Sequence, residues 1–147
     1  MLEELDGVLH RFGRLMASRQ AQYSRDTGLP APQYMVLRIL LQEGDMRVSD
    51  IASTLGVKNP AASGLIQCLE DDGMVARRND DTDHRVVLVS ITERGRQRFG
   101  AADEYRRMIL RLLTKGLPAE DIETLVRVMS HMADVVSGEA DRPATTA

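Results

Sequence analysis

Hydrogen-bonding side chains recur along residues 58–67 at a spacing that suits one surface of a helix. They are Lys58, Asn59, Ser63 and Gln67. A glutamine can form two hydrogen bonds with adenine, and a serine can bond more than one base, so this set has the chemistry to read the edges of base pairs. Gly64 stands among them, although glycine inside a helix costs about 1 kcal/mol against alanine. We interpret this glycine as a place where the backbone comes close to another molecule.

A second polar group lies between residues 77 and 85, in the sequence RRNDDTDHR. This segment is too polar for a core, so we expect it at the tip of a hairpin between a strand that starts at Val75 and a strand over 86–89. An arginine at such a tip can enter a minor groove of DNA, where the phosphate potential attracts guanidinium groups. The alternative is a solvated hairpin tip whose local ion pairs contribute little to stability.

The elements that position these groups follow one another between residues 49 and 95 with few residues between them. Ser49 is a predicted helix cap and Gly56 a predicted left-handed stop. Asn59 and Pro60 restart a second helix, because proline at the first helical position loses no hydrogen bond. Apolar residues at helical spacing predict one buried face for each helix: Ile51, Ala52 and Leu55, then Ala62, Leu65, Ile66 and Leu69. Helix, turn, helix and hairpin in this order predict a winged helix-turn-helix, and its usual partner is double-stranded DNA.

Further helices are predicted on both sides of this unit. Apolar residues at steps of three and four indicate one helix over residues 2–26 and another over 122–136, and shorter signals indicate helices over 33–42 and 92–115. The predicted fold class is therefore mainly α with a small β-hairpin wing. The terminal helices are too apolar to stay uncovered, and a bundle within one chain is one way to cover them.

Composition limits the remaining possibilities. The chain has 147 residues, 43% of them hydrophobic, a net charge of −3 and a single cysteine. These values suit one globular domain without internal disulfides in a reducing compartment, and no apolar run reaches the length of about 18 residues that spans a bilayer. The acidic start indicates no secretory signal. Small and polar residues over 139–147 predict a disordered tail.

Catalytic and metal chemistry find little support in the sequence. Asp80, Asp81, Asp83 and His84 lie close together, but no loop glycine or second segment with ligand spacing accompanies them, so we interpret the run as a solvated tip. No nucleophile and base are suitably spaced, and no glycine-rich phosphate loop is present. We therefore predict neither an enzyme nor a cofactor, and no metal site.

The spacing Asp83-x-Arg85, then six residues, then Thr92-x-x-Gly95, resembles the MarR family of bacterial transcriptional regulators. The resemblance implies a single domain over 1–147, in which residues 30–95 form a winged DNA-binding lobe. It implies that residues 1–29 and 96–138 supply dimerisation helices that interleave about a two-fold axis. It also implies that Arg85 enters the minor groove, with Asp83 orienting it or a neighbouring arginine. Arg78 is a further candidate DNA-binding residue of the wing. One departure is Gly64, where many relatives carry a long polar side chain.

The resemblance further implies a small-molecule site between the dimerisation helices and the DNA-binding lobe, since ligands of the family are commonly aromatic or phenolic acids. A carboxylate there would need a guanidinium or imidazole group beside an apolar wall. The candidate lining residues are His10, Arg14, Tyr34 and Arg38.

Together these features predict a homodimeric DNA-binding transcriptional regulator in the bacterial cytoplasm, associated with the nucleoid. It would repress a pseudo-palindromic operator until a small aromatic or phenolic ligand releases it. The alternative is a winged-helix adaptor that contacts proteins without binding DNA, which the acidic net charge keeps open.

Overall fold

The computed structural model describes residues 1–138. Within them the chain forms six helices: α1 (Leu2–Thr27), α2 (Ala31–Glu43), α3 (Val48–Leu55), α4 (Asn59–Asp71), α5 (Glu93–Leu113) and α6 (Ala119–Ser137). One antiparallel hairpin, β1 (Val75–Asn79) and β2 (Val87–Ile91), lies between α4 and α5. The mainly α fold with a hairpin wing is as predicted. The disorder predicted for 139–147 concerns residues outside those described.

Of the two helices of the helix-turn-helix, α3 begins two residues earlier than predicted and α4 begins one residue earlier. The N-cap of α3 is Arg47 rather than Ser49, and the N-cap of α4 is Lys58 rather than Asn59. Neither cap forms a side-chain hydrogen bond within the described residues. The carbonyl of Arg47 accepts the amides of Asp50 and Ile51 at 3.1 Å each, and these bonds close the first turn of α3. Gly56 ends α3 with φ of 67°, the left-handed conformation predicted for it.

The core lies where α2, α3, α4 and the hairpin meet. Most residues of the predicted faces of the two short helices are buried, whereas Leu55 and Leu65 are half-buried and pack against the core. Residues of α2 and of both strands complete the set of buried side chains, which includes Val36, Leu37, Ile51, Ala62, Ile66, Leu69, Val75 and Val89. Helix α4 therefore packs against the core along one stripe of side chains, and its opposite face is exposed to solvent.

The wing is attached at its base to the helices on either side. Strand β1 pairs with β2 from Val75 opposite Ile91 to Asn79 opposite Val87. Met46, in the segment before α3, extends this pairing through two backbone hydrogen bonds with Val89, at 2.7 and 3.1 Å. The hairpin is therefore continuous with the start of the helix-turn-helix.

Backbone contacts divide the chain into a unit of Met1–Arg106 and a second unit that starts at Arg107. The predicted boundaries of the DNA-binding lobe and of the dimerisation helices stay predictions. Among residues 1–138, no helix combines the length and the apolar character needed to cross a membrane.

The junction between the wing and α5 depends on a close backbone approach at Gly95. The side chain of Thr92 caps α5 by accepting the amide of Gly95 at 3.1 Å, and its hydroxyl donates to the carbonyl of Gly73 at 2.6 Å. A Cβ atom on Gly95 would overlap the carbonyl oxygen of Met74 and lie 2.8 Å from Cγ1 of Ile91. Only glycine fits here without moving the first turn of α5 away from the hairpin.

Gly95→Ala should therefore lower the free energy of unfolding by about 1–3 kcal/mol, because the added methyl group overpacks a buried junction. Gly100→Ala is the matched control in the same helix, since a Cβ there meets no heavy atom of the described residues within 4 Å. It should raise the stability by about 0.5–1 kcal/mol, as alanine is the better helix former. Urea denaturation of both variants measures the difference, and equal effects would contradict the proposed close contact.

Candidate nucleic-acid interface

Helix α4 turns one polar face to solvent. Its buried stripe of Ala62, Ile66 and Leu69 packs into the core. On the other side Ser63 is half-buried, whereas Gly64 and Gln67 are exposed. No heavy atom of residues 1–138 lies within 4 Å of where a Cβ on Gly64 would stand, so packing within this part of the chain does not require glycine at this position. The exposed face is thus compact and largely uncharged.

An open groove of about 780 Å³ lies between this helix and the wing. Its polar lining comes from three parts of the chain, namely Arg47 and Ser49 at the start of α3, Asn59 and Ser63 on α4, and Arg77 and Arg85 on the hairpin. Among the described residues, no aspartate or glutamate lines it. A chain with a net charge of −3 therefore carries a groove whose charged lining is entirely basic.

The two neighbouring arginines of β1 contact different partners, because successive side chains of a strand point to opposite faces. Arg77 lies against α4, where its Nη1 donates to Glu70 at 2.6 Å and to Gln67 at 3.1 Å. Arg78 lies against the segment between α2 and α3, and its Nη2 donates to the carboxylate of Asp45 at 2.7 Å. Arg77 thus connects the wing to α4, and Arg78 connects it to the segment before the helix-turn-helix.

Arg85 is the most exposed of the wing arginines, with 91% of its side chain in solvent. Its Nε donates to Asp83 at 3.1 Å, and its backbone amide donates to the same carboxylate. These hydrogen bonds from Arg85 hold the pKa of Asp83 below its ordinary value. Asp83 therefore stays charged and orients Arg85 at the edge of the groove, with the guanidinium accessible to a partner.

The amide group of Gln67 is held at both ends. Its Nε2 donates to Asp71 at 2.9 Å, and its Oε1 accepts from Arg77. An exposed glutamine normally samples many rotamers, so these contacts orient Gln67 before any partner arrives. A bidentate contact with a base would require one of them to be exchanged.

The structure brings together some of the predicted DNA-binding residues. Asn59, Ser63 and Arg85 line the groove. Lys58, Gly64 and Gln67 are exposed on α4 or at its start, without lining the groove. Arg78 faces Asp45, and Asp83 pairs with Arg85, as described above. The contacts of all eight residues with DNA stay predictions.

Sequence reasoning did not find Arg47, and it treated Ser49 only as a cap and Arg77 only as part of a polar tip. Strand alternation offered a signal that Arg77 and Arg78 face opposite sides. It could not show which of them faces α4, because that depends on the packing of the hairpin. Nothing in the local sequence around Arg47 indicates that its side chain lines a groove together with residues of the wing.

The predicted ligand-lining residues lie in different surroundings. His10 and Arg14 are exposed on α1, and Arg38 is half-buried on α2. Tyr34 is only 2% exposed, stacks on Phe99 with 4.9 Å between ring centroids, and donates its hydroxyl to the carboxylate of Asp103 at 2.7 Å. Burial and this hydrogen bond raise the pKa of Tyr34. Tyr34 is thus part of the core, and a role for these four residues in ligand binding stays a prediction.

The described part of the chain contains no cluster of potential metal ligands. No group of three histidine, cysteine, aspartate or glutamate side chains lies close enough there to hold an ion. Cys68 is exposed on α4 as a free thiol.

Comparison with known proteins identifies the class to which this architecture belongs. The sequence profile of the MarR family matches residues 29–87, which include the helix-turn-helix and the wing tip. The chain is 24% identical to the HTH-type transcriptional regulator YdgJ of Bacillus subtilis over 93% of this chain and 79% of that protein. It is 25% identical to the homoprotocatechuate degradative operon repressor of Escherichia coli over 70% of each chain. The structure of a MarR family protein from Bacillus stearothermophilus superimposes with a TM-score of 0.77 at 22% identity, covering 92% of this chain and 95% of that one.

The Asp45–Arg78 pair should contribute a pH-dependent part of the stability. Burial by itself would raise the pKa of Asp45, but hydrogen bonds from Ser90 and Arg78 outweigh it and the pKa lies below its ordinary value. A lowered pKa in the folded state stabilises the protein above the ordinary aspartate pKa, and this contribution disappears as the pH falls through the folded value. Asp45→Asn should therefore cost up to about 1 kcal/mol at pH 7, the range for a partly exposed pair.

Urea denaturation between pH 7 and pH 3 measures this difference, which should shrink towards the acidic end. In the double variant with Arg78→Ala, the two losses should not add, because both remove the same contact. A loss from Asp45→Asn that is independent of pH, or fully additive with Arg78→Ala, would contradict the assignment.

Proposed function

The chain belongs to the MarR family of transcriptional regulators, and we propose that it is a homodimeric repressor of a pseudo-palindromic operator, released by a small aromatic or phenolic ligand. The observation that carries the DNA-binding part is the basic groove between α4 and the wing. The groove is lined by three arginines, by neutral hydrogen-bonding groups and by four apolar residues, Val48, Pro60, Val86 and Val87. Its polar part suits the phosphates and base edges of duplex DNA.

The dimensions of the recognition helix support this proposal. A single α-helix fits the major groove of B-DNA, which is about 12 Å wide. Small residues on the exposed face of α4, among them Ser63 and Gly64, permit a close approach of the helix backbone. In this proposal the hydrogen bonds to base edges come from the longer side chains at the two ends of this face. These are Lys58 and Asn59 at one end and Gln67 at the other.

The wing supplies the second contact in this proposal. A guanidinium group that is 91% exposed and oriented by a carboxylate can enter the minor groove beside the bound helix. The nearby Arg77 and Arg78 are engaged by Glu70 and Asp45, so they support the wing and Arg85 extends from it.

Dimerisation is supported by apolar surface that the chain leaves uncovered. On α1 the side chains of Leu5, Leu9 and Phe12 are each about half-exposed and share one face. On α6 a stripe at steps of three and four is also exposed, formed by Leu125, Met129, Met132 and Val136. Single exposed apolar residues are common, but contiguous stripes on two helices are typical of an interface. A second copy of the chain is the proposed occupant, because two recognition helices about 34–36 Å apart would then meet successive major grooves.

The proposed ligand follows from a relative and from the residues on α1 and α2. The E. coli relative is named as the repressor of an operon for the degradation of homoprotocatechuate, an aromatic acid. Arg14 and Arg38 could pair with such a carboxylate, and His10 is a further candidate. Tyr34 is buried and its hydroxyl is bonded to Asp103, so its side chain would have to move to contact a ligand. As a regulator of this kind the protein would act in the bacterial cytoplasm.

Arg85→Ala should weaken operator binding by about 1–3 kcal/mol per half-site, because it removes the minor-groove contact while leaving the core untouched. The operator duplex is selected from a random-sequence pool with the unaltered protein and titrated at fixed salt. Sedimentation serves as the control and should show twice the 16.3 kDa chain mass for both proteins at micromolar concentration.

If Arg85→Ala binds the operator with unchanged affinity, the proposed contact between the wing and the minor groove is wrong. A monomer in sedimentation would remove the dimer, and a failure to select any duplex would favour the protein-binding adaptor.

The ligand and the operator should weaken each other's binding by the same factor, since both act on one conformational equilibrium. Homoprotocatechuate should raise the melting temperature of the free protein and lower its DNA affinity. Arg14→Ala and Arg38→Ala should reduce both effects together. Calorimetric titration with and without the selected duplex is the decisive measurement, and equal ligand affinity in the two conditions would rule out release by this ligand.

A further inference from the structure

Arg47 occupies a fixed position between the helix-turn-helix and the wing. On one side its neighbour Met46 is hydrogen-bonded to Val89 of β2. On the other side the carbonyl of Arg47 accepts the first amides of α3. The backbone of Arg47 is thus held to both elements at once, and its side chain lines the groove that they enclose.

The charge of Arg47 is available to a partner. Of the three arginines that line the groove, Arg77 is paired with Glu70 and Arg85 with Asp83. Arg47 is exposed and makes no side-chain hydrogen bond or ion pair within residues 1–138. Its positive charge nevertheless reaches the wing, because it adds to the hydrogen bonds from Arg85 that lower the pKa of Asp83.

The groups around Arg47 suit an anion with several oxygen atoms. Ser49 and Ser63 supply hydroxyl groups, and Asn59 supplies an amide. No carboxylate of the described residues lines the groove, and Asp83, whose carboxylate interacts with the charge of Arg47, is already hydrogen-bonded to Arg85. Arginine is the side chain best shaped for two parallel hydrogen bonds to a phosphate.

We propose that Arg47 binds a phosphate of the DNA backbone at the point where the recognition helix and the wing meet. The inference rests on the proposed function and adds a residue that sets the position of the protein on the duplex. Arg47 lies outside α4, which carries the base-reading face, and it lies at the base of the wing, whose tip carries Arg85. A phosphate contact here holds both elements in one register without reading the sequence, as phosphate contacts generally do.

The test compares Arg47→Ala and Arg47→Lys with the unaltered protein on two duplexes, the selected operator and a scrambled sequence of the same length. Fluorescence anisotropy gives the affinity at several salt concentrations. Lys115→Ala is the matched control, since it also removes one exposed positive charge but does not line the groove.

Arg47→Ala should weaken binding to both duplexes by a similar factor. It should also reduce the slope of log affinity against log salt by about 1 per half-site, because fewer counterions are released. Arg47→Lys should keep most of the slope, and Lys115→Ala should leave it unchanged. Thermal unfolding should show that all three variants are folded.

An unchanged slope in Arg47→Ala would overturn the proposal, as would a loss confined to the operator, since that result indicates a base contact. The proposal would also be overturned if Lys115→Ala reduced the slope as much as Arg47→Ala does, because the change in net charge alone would then explain the effect. If the unaltered protein binds neither duplex, DNA binding itself fails. A different result contradicts only the role of Arg47: the unaltered protein binds DNA, and Arg47→Ala has the same salt slope as the unaltered protein.

Discussion

Burial of one stripe of α4 is the interaction on which the DNA-facing surface depends. Ala62, Ile66 and Leu69 are fully enclosed by α2, α3 and the base of the hairpin. Burying side chains of this size contributes on the order of 1.5–3 kcal/mol each for the larger two. Because the helix can be held on only one side, the same packing that stabilises it determines which residues remain exposed. The polar face of α4 is therefore a consequence of how the core is filled.

The wing has too few residues to be stable by itself, since an isolated two-stranded hairpin is marginal in water. Its position comes from attachments at its base: the pairing of Met46 with Val89, and the junction of Thr92 and Gly95 with the end of α4. Ion pairs of Arg77 and Arg78 then act on its two faces. Motion of the wing relative to α4 would have to break backbone hydrogen bonds as well as ion pairs, so the groove between them is preorganised.

Charge is distributed locally in a way that net charge conceals. The chain has 22 acidic and 19 basic side chains, which taken alone would argue against an anionic partner. Around the wing, however, the acids Glu70, Asp45 and Asp83 do not line the groove, and each is paired with an arginine of the hairpin. Charges more than about 8–10 Å apart are largely screened at physiological salt, so a phosphate in the groove would respond mainly to the arginines that line it.

The sequence by itself determined the order of the elements and the buried face of each short helix, because both follow from local periodicity. Apolar residues spaced at three and four predicted the core side of α4, and glycine at position 56 predicted the end of α3, where φ is positive. The same reasoning misplaced the caps at Ser49 and Asn59, since backbone carbonyls closed those turns without side-chain help. Only the tertiary structure decided that Arg77 faces α4, that Arg78 faces Asp45 and that Arg47 shares a groove with Arg85. These relations join residues that are 7 to 38 positions apart, through the packing of the hairpin on the helices, and no local pattern in the chain encodes the direction of that packing.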